Sequence, residues 1–411
     1  MNRNRLPRWV NATIDRIADS PTSPLGRIAA RRYGKPVPGA VGTTAFDDRP
    51  VRVLIAPVNY SGQAFAWSRA LERRSPRISA RTMAIEVPGG FDYPSDLLVP
   101  IPTYHNDTAW QRDQFAAATT ATHVLIEAEE PPFGRLLGRS VAAQAAALGT
   151  RGVDVAYLAH GTDVRLPSRH MRDHPWSHYA DPEIYAARDE VVAARNIAFL
   201  ESSGRPVFVS TPDLREDLPT ALWLPVAVDV ARWERPRTAR TPGARLRVAH
   251  APSVSVIKGT HLIRDTLERL QAEGVIELDL IQGVPTAQMP DRFAGADVVI
   301  DQLRIGSYGV AACEALASGC IVVGHLSERV RATVREETGL EPPIVEATPD
   351  TIEGVLRELA AHDGLDALRA TGDTFVRAVH DGRRSAAVLD EAWLHATAPD
   401  PHEEDTDASP R

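Results

Sequence analysis

The stretch Ala296 to His325, ADVVIDQLRIGSYGVAACEALASGCIVVGH, decides how the rest of the chain folds. Val298 to Ile300 is a short apolar run without alternation, the pattern of a strand buried on both faces of a parallel sheet. Asp301, Gly306, Ser307 and Gly309 break it. A helical spacing follows, with Val310, Cys313 and Ala317 on one side, and Cys320 to Val323 is a second buried strand. Strand, helix and strand make a βαβ unit, in which the loop after the first strand and the start of the helix form a ligand-binding crevice. Glu314 is the one ionisable residue of that helix, and its carboxylate can accept from two neighbouring hydroxyls, as on a ribose.

Outward from this unit the alternation repeats. Toward the N-terminus, buried strands are expected at Val51 to Ala56, Met83 to Val87, His123 to Ile126, Val155 to Ala159, Val207 to Ser210 and Leu222 to Pro225. Helices are expected at Gln63 to Glu72 and Gly138 to Ala147. Val226 to Arg245, rich in Arg, Pro and Thr, reads as a crossover. The pattern restarts with strands Leu246 to Ala249 and Ile276 to Ile281, helices Thr260 to Ala272 and Ala287 to Phe293, and the βαβ unit itself. Helix Ser327 to Glu337, strand Pro343 to Val345 and helix Thr351 to His362 complete it. The expectation is an α/β protein of two doubly wound, mostly parallel sheets, with domains 51–225 and 226–372. Residues 1–50 form an amphipathic helix and linker, 373–397 a last helix, and 398–411 an acidic, disordered tail.

A chain of 411 residues suits two domains, and 43% hydrophobic with 24% charged content is that of a globular protein. The net charge of −8 leaves no basic surplus for bulk nucleic-acid binding. No apolar run is long enough to cross a bilayer, and the Arg-rich N-terminus lacks the apolar core of a signal peptide, so the expected location is cytoplasmic. The first helix, with Leu6, Trp9, Val10, Ile14 and Ile17 among arginines, either packs on the first domain or makes a peripheral contact with the inner face of a membrane. Cys313 and Cys320 stand roughly 10 Å apart along a helix, too far to bridge, and read as reduced packing residues.

Four places can carry chemistry. Lys258 and Gly259 lie in the loop between the second domain's first strand and first helix, where a lysine beside helix amides can hold a diphosphate. Only one other lysine, Lys35, occurs in the chain. His160, Gly161, Thr162 and Asp163 follow a buried strand: His160 can donate to a hydroxyl or phosphate and Asp163 can orient it, or the segment is a capped turn. Asn59, Gly62 and Gln63 follow the first strand, where Gly62 lets the backbone approach a diphosphate or acceptor and the amides can bind hydroxyls, or the loop is a turn without a ligand. His170, His174 and His178 have helical spacing, but Pro175 interrupts it, so a surface loop with Trp176 and Tyr179 is expected in place of a metal site; lining the acceptor side of the cleft is the alternative.

Glu314 followed by Ala315, Leu316, Ala317, Ser318 and Gly319, together with Lys258-Gly259, His160 after its strand, Leu224-Pro225 and Met289-Pro290, resembles the retaining glycosyltransferases of family 4 with the GT-B fold. That family carries two glutamates with seven residues between them; here the second is Glu314 and the first falls on Gly306. An arginine that usually precedes the Lys-Gly pair falls near Pro252 or Ser253. The resemblance implies two Rossmann-like domains facing a cleft and a C-terminal helix, Phe375 to Leu394, returning to the first domain. It further implies hexosyl transfer with retention from a UDP- or GDP-sugar, without a cofactor or metal, to a carbohydrate, glycolipid or small-molecule acceptor. Donor contacts would fall on Glu314, Lys258, Gly259, Asp301, Arg304, Ser307, Tyr308 and Gly309, with Arg304 supplying the missing positive charge, and on His160. The alternatives are a nucleotide-sugar epimerase and a non-catalytic scaffold that binds nucleotide or glycan.

Overall fold

The computed structural model describes residues 3–21, 23–86, 92–237, 240–241, 243–252, 254–362 and 364–395. The first sheet contains β1 (Val51–Ala56), β2 (Ile78–Glu86), β3 (Leu97–Pro100), β4 (His123–Glu127), β5 (Asp154–Ala159), β6 (Val207–Val209) and β7 (Leu222–Trp223), in the order β3-β2-β1-β4-β5-β6-β7. The second contains β8 (Leu246–His250), β9 (Ile276–Leu280), β10 (Val298–Ile300), β11 (Ile321–Gly324) and β12 (Ile344–Glu346), in the order β12-β11-β10-β8-β9. Neighbouring strands pair in parallel throughout. Parallel strands need covered crossovers, which is why Val53, Leu54, Ile55, Val298, Val299 and Ile300 are all at most 1% exposed. The strand order reverses between β1 and β4 and again between β8 and β10. Loops leaving the carboxyl ends on either side of such a point diverge and open a crevice.

Several elements differ from the expectation for identifiable reasons. β2 begins at Ile78, five residues earlier than the apolar run, because its polar residues have partners: Ser79 Oγ accepts from Asp47 N at 3.0 Å, and Thr82 pairs with Asp96. Val87, expected at the end of this strand, lies outside the described residues. β3 was not expected; it is an edge strand, where Pro100 is tolerated because one side needs no ladder hydrogen bond. The Ala-rich helix runs Val141–Gly149 and starts later than expected because Ser140 caps it, accepting from Ala143 N at 3.2 Å.

The expected last helix is two. Asp366–Val379 ends at His380, and Arg383–Leu389 begins after Gly382, whose φ of 93° suits glycine. A Cβ on Gly382 would stand 2.9 Å from the Ala70 Cβ, so the turn also lets the chain come close to the helix Gln63–Arg74. Ala386, Leu389 and Trp393 then share a core with Trp67 and Leu71 beside the first sheet. The first helix, Arg8–Asp19, sits against the helix Ala186–Ser202, which packs on the other face of that sheet: Asp19 pairs with Arg188 and Arg195, and Arg3 lies over the Tyr185 ring, while Trp9 stays 73% exposed. Among the described residues no helix is long and apolar enough to cross a membrane. The acidic tail lies outside the described residues.

Candidate functional site

At the reversal in the second sheet, the loops after β8 and β10 meet the helix Val310–Ala317. Lys258 ends the short helix Ser255–Lys258, and its ammonium donates to Asp301, which directly follows β10 and is 4% exposed. Gly259 then turns with φ 82°, and a Cβ there would lie 3.1 Å from Arg304 Cγ, so glycine lets the turn pass over the arginine stem. Glu314 faces the same place. Burial raises its carboxyl to about 8, and Arg232 and then Lys258 pull against that rise while Asp301 adds to it. Arg232 lies on Val230–Trp233 in the crossover between the sheets. Tyr93 closes the other side, its phenol raised to about 12 by burial and then by Glu314, and it touches Ser61 and Gly62 of the loop after β1. A Cβ on Gly309 would meet nothing within 4 Å, so open space borders the start of the Glu314 helix.

The remaining residues expected at the donor are committed elsewhere. Arg304 is 5% exposed and reaches the other domain: Nε donates to the Trp176 carbonyl at 2.8 Å, Nη2 to the Ser177 carbonyl at 2.9 Å, and Nη1 to Asp181 at 3.0 Å and to the Val256 carbonyl at 2.9 Å. With four of its five N–H groups used, it is a latch between the domains, and the expectation that it supplies charge to the donor is corrected. The Tyr308 side chain is core, 3% exposed, with its hydroxyl 3.1 Å from His380 Nε2, which leaves its backbone as what it can offer a donor. Ser307 is buried beside Asp213, where burial works to raise the carboxyl but Arg165, Thr211 and Ser307 hold it below the usual range.

The histidine segment forms the other half of this contact and is no surface loop. His170, His174 and His178 are 1%, 5% and 1% exposed. His170 donates or accepts at Ser177 Oγ and lies 3.2 Å from the Ile305 carbonyl, while His174 stacks on it with centroids 4.4 Å apart. Gly306 has φ 75°, and a Cβ there would stand 2.4 Å from His174 Cε1. The histidine ring therefore occupies the space that a side chain at position 306 would need. Burial, followed by positive neighbours, lowers the three rings to about 3, 4 and 2 in chain order, so they are neutral. Among the described residues no group of His, Cys, Asp or Glu is placed to hold a metal ion.

At the reversal in the first sheet, His160 Nε2 lies 3.1 Å from Glu127 Oε1, and the other Glu127 oxygen accepts from Val58 N and Asn59 N at 3.2 and 3.1 Å. Glu127, fully buried at the end of β4, thus ties the His160 loop to the loop after β1. Its signal in the sequence is a carboxylate closing an apolar strand, VLIE. Asp163 caps the turn, its carboxylate accepting from His160 N at 2.7 Å and from Gly161 N. The amides expected to bind hydroxyls are used internally. Gln63 exchanges two hydrogen bonds with the backbone of Ala227, and Asn59 donates to the Pro94 carbonyl at 2.9 Å and accepts from Phe65 N at 3.2 Å. Gly62 keeps its positive φ of 72° against the Tyr93 ring.

No protein-family profile and no curated protein matches the sequence. Among solved structures, the sucrose-phosphate synthase of Thermosynechococcus elongatus aligns with a TM-score of 0.54 at 10% identity over 84% of this chain and 99% of its own. Anabaena HepE in complex with UDP and glucose aligns at 0.51 and 10% identity over 83% and 98%. The chain has the GT-B fold.

In this GT-B arrangement the two sheet reversals face each other across the cleft. The His160–Glu127 pair stands on one side and Lys258, Arg232 and Glu314 on the other, with Tyr93 between. Two cations beside a carboxyl that is neutral in the free protein suit an anion linked to a polyhydroxylated group. Lys258 and Arg232 offer charge-assisted donors, and Glu314 offers paired oxygens to vicinal hydroxyls.

Proposed function

We propose that the protein is a glycosyltransferase that moves a hexosyl group, with retention of configuration, from a nucleoside-diphosphate sugar to an acceptor. Residues 51–225 hold the acceptor and 226–372 the donor. Glu314 takes the ribose hydroxyls, Lys258 and Arg232 the diphosphate, and His160, oriented by Glu127, the sugar. In the transfer, the bond between the anomeric carbon and the diphosphate oxygen breaks. The acceptor hydroxyl oxygen bonds to that carbon from the same face, and its proton passes to the departing diphosphate. Lys258 and Arg232 stabilise the charge that develops there. The reading rests on the convergence of Lys258, Arg232 and Glu314 on one reversal point.

Calorimetric titration with UDP, GDP, UDP-glucose and GDP-mannose tests it. UDP comes first because the HepE structure holds UDP and glucose. One nucleotide family is expected to bind, with Lys258→Ala and Arg232→Ala each weakening it about tenfold or more. A folded protein that binds none of the four removes the donor assignment. A second reading, a nucleotide-binding scaffold without transfer, draws support from His174 filling the place beside Gly306 and from Arg304 being tied to the other domain. Binding without donor hydrolysis or transfer to any acceptor would select it.

A further inference from the structure

A cavity of about 810 Å3 lies between the N-terminal helices and the first domain, within the roughly 300–1,000 Å3 typical of small-molecule sites. It is lined by Ile14, Ile17 and Phe199, by the ion pairs of Asp19 with Arg188 and Arg195, and by three further arginines, Arg32, Arg135 and Arg139. Among the described residues, the one carboxylate ion-paired with any of these three arginines is Glu130, to Arg139. This surplus of cations occurs in a chain whose net charge is −8. Its effect reaches the neighbours. His105 is lowered to about 4 by burial and then by Arg139, Arg135 and Arg32, and Arg135 is itself lowered by burial, Arg27 and Arg139. Like charges gathered at a partly buried wall repel one another, and a bound anion would relieve this. Guanidinium groups offer paired donors that match the oxygens of a phosphate or carboxylate.

Residues of the cavity wall touch the His160 loop. Asn196, in the wall, donates to the Asp163 carbonyl at 3.0 Å, and Glu129 and Glu130 of the wall lie close enough to Tyr60 to raise its phenol, after burial and Asp163. Tyr60 packs edge-on against His160 with centroids 5.2 Å apart. Burial, then Asp163, raises the Glu129 carboxyl well above the usual range.

We propose that this cavity is the acceptor site and that the acceptor is an amphiphilic anion. Its phosphate or carboxylate lies on Arg32, Arg135 and Arg139, its apolar body against Ile14, Ile17 and Phe199, and its reacting hydroxyl toward Glu129 and the His160 loop. The acceptor role rests on the glycosyltransferase reading; the binding itself does not. The test is calorimetry of the full chain with octyl phosphate, octanoate and octanol below their micelle concentrations. At least one anion is expected to bind about tenfold or more tightly than octanol, and which one it is separates phosphate from carboxylate. Arg135→Gln is expected to weaken that anion about tenfold, and Ile14→Trp, which fills the apolar side without touching a charge, to do the same. Circular dichroism checks that both variants fold. Equal binding of octanol and the anions, or unchanged affinity in both folded variants, overturns the proposal. UDP titrated into the same proteins separates the two readings. UDP binding without anion binding overturns the cavity assignment alone. Anion binding in a protein that takes no UDP or GDP leaves an anion site and removes its role as acceptor site.

Discussion

A carboxyl held neutral at pH 7 governs how Glu314 can meet a ribose. Burial raises it to about 8, against a model-peptide value near 4.3. Two ribose hydroxyls are best received by the ionised form, which offers oxygens alone, so nucleotide binding at pH 7 is expected to release close to one proton. Calorimetry in buffers of different ionisation enthalpy measures that number, and Glu314→Gln should abolish it. The same shift has a stability consequence. An acid whose folded value is raised stays protonated in the native state while the unfolded chain ionises, so its cost is absent below about pH 4.3, grows to about pH 8 and is constant above. Glu314→Gln should therefore leave stability unchanged at pH 4 and raise the melting temperature at pH 8.5. Gly306 makes a second residue-scale prediction. Gly306→Ala adds a methyl 2.4 Å from His174 Cε1 at φ 75° and should cost about 1–3 kcal/mol in denaturant unfolding. Part of this should return in the double variant with His174→Ala, which clears the space but leaves the backbone strain. No recovery would show that the ring is not the obstacle.

Among the elements, legibility followed whatever has a period. β1, β4, β5, β8, β10 and β11 stood out as mostly apolar runs because both faces of those strands are largely buried. β3 hid because an edge strand of LLV ended by Pro100 is too short to display a pattern, and the break at His380-Asp381-Gly382 was readable as a turn but lay inside an otherwise helical spacing. The segment from His170 to Asp181 was the chief misreading. Its three histidines are buried, His170 and His174 against the other domain, and contact between distant parts of a chain leaves no period in either. For the same reason Arg304, Gln63 and Asn59 looked available when their donors were already used. The burial of the histidines carries its own prediction. A base whose folded value is lowered resists protonation in the native state, so the stability it permits at neutral pH is lost as pH falls from about 6.5 toward the folded values of about 3, 4 and 2. Denaturant midpoints should drop between pH 7 and pH 5. His178→Phe should flatten that slope at little cost at pH 7, because neither ring nitrogen of His178 has a hydrogen-bond partner among the described residues.

For the molecule as a whole, closure of the two domains is held at a few points, and Arg304 makes three hydrogen bonds across to the first domain. It joins the loop after β10 to Trp176, Ser177 and Asp181 of the first domain, beside the contact of His170 with the Ile305 carbonyl and of His174 with Gly306. Surface pairs such as Arg215 with Glu337 add little, because water screens them. Arg304→Ala removes the three hydrogen bonds to Trp176, Ser177 and Asp181, leaving Asp181 the Glu183 amide at 3.0 Å and His261 at 3.6 Å, and the closed arrangement loses its advantage over an open one without either sheet being disturbed. The variant should stay folded, with a larger radius of gyration in small-angle scattering and faster amide exchange confined to 174–181 and 301–309. Glu314 is half-buried in the closed form, so opening should speed nucleotide association. Equilibrium affinity should nevertheless fall, because only the closed fraction brings Tyr93 and the first domain against Glu314, and apparent affinity scales with that fraction. A faster on-rate together with a weaker equilibrium constant identifies Arg304 as the latch; unchanged scattering and exchange would place the closure elsewhere.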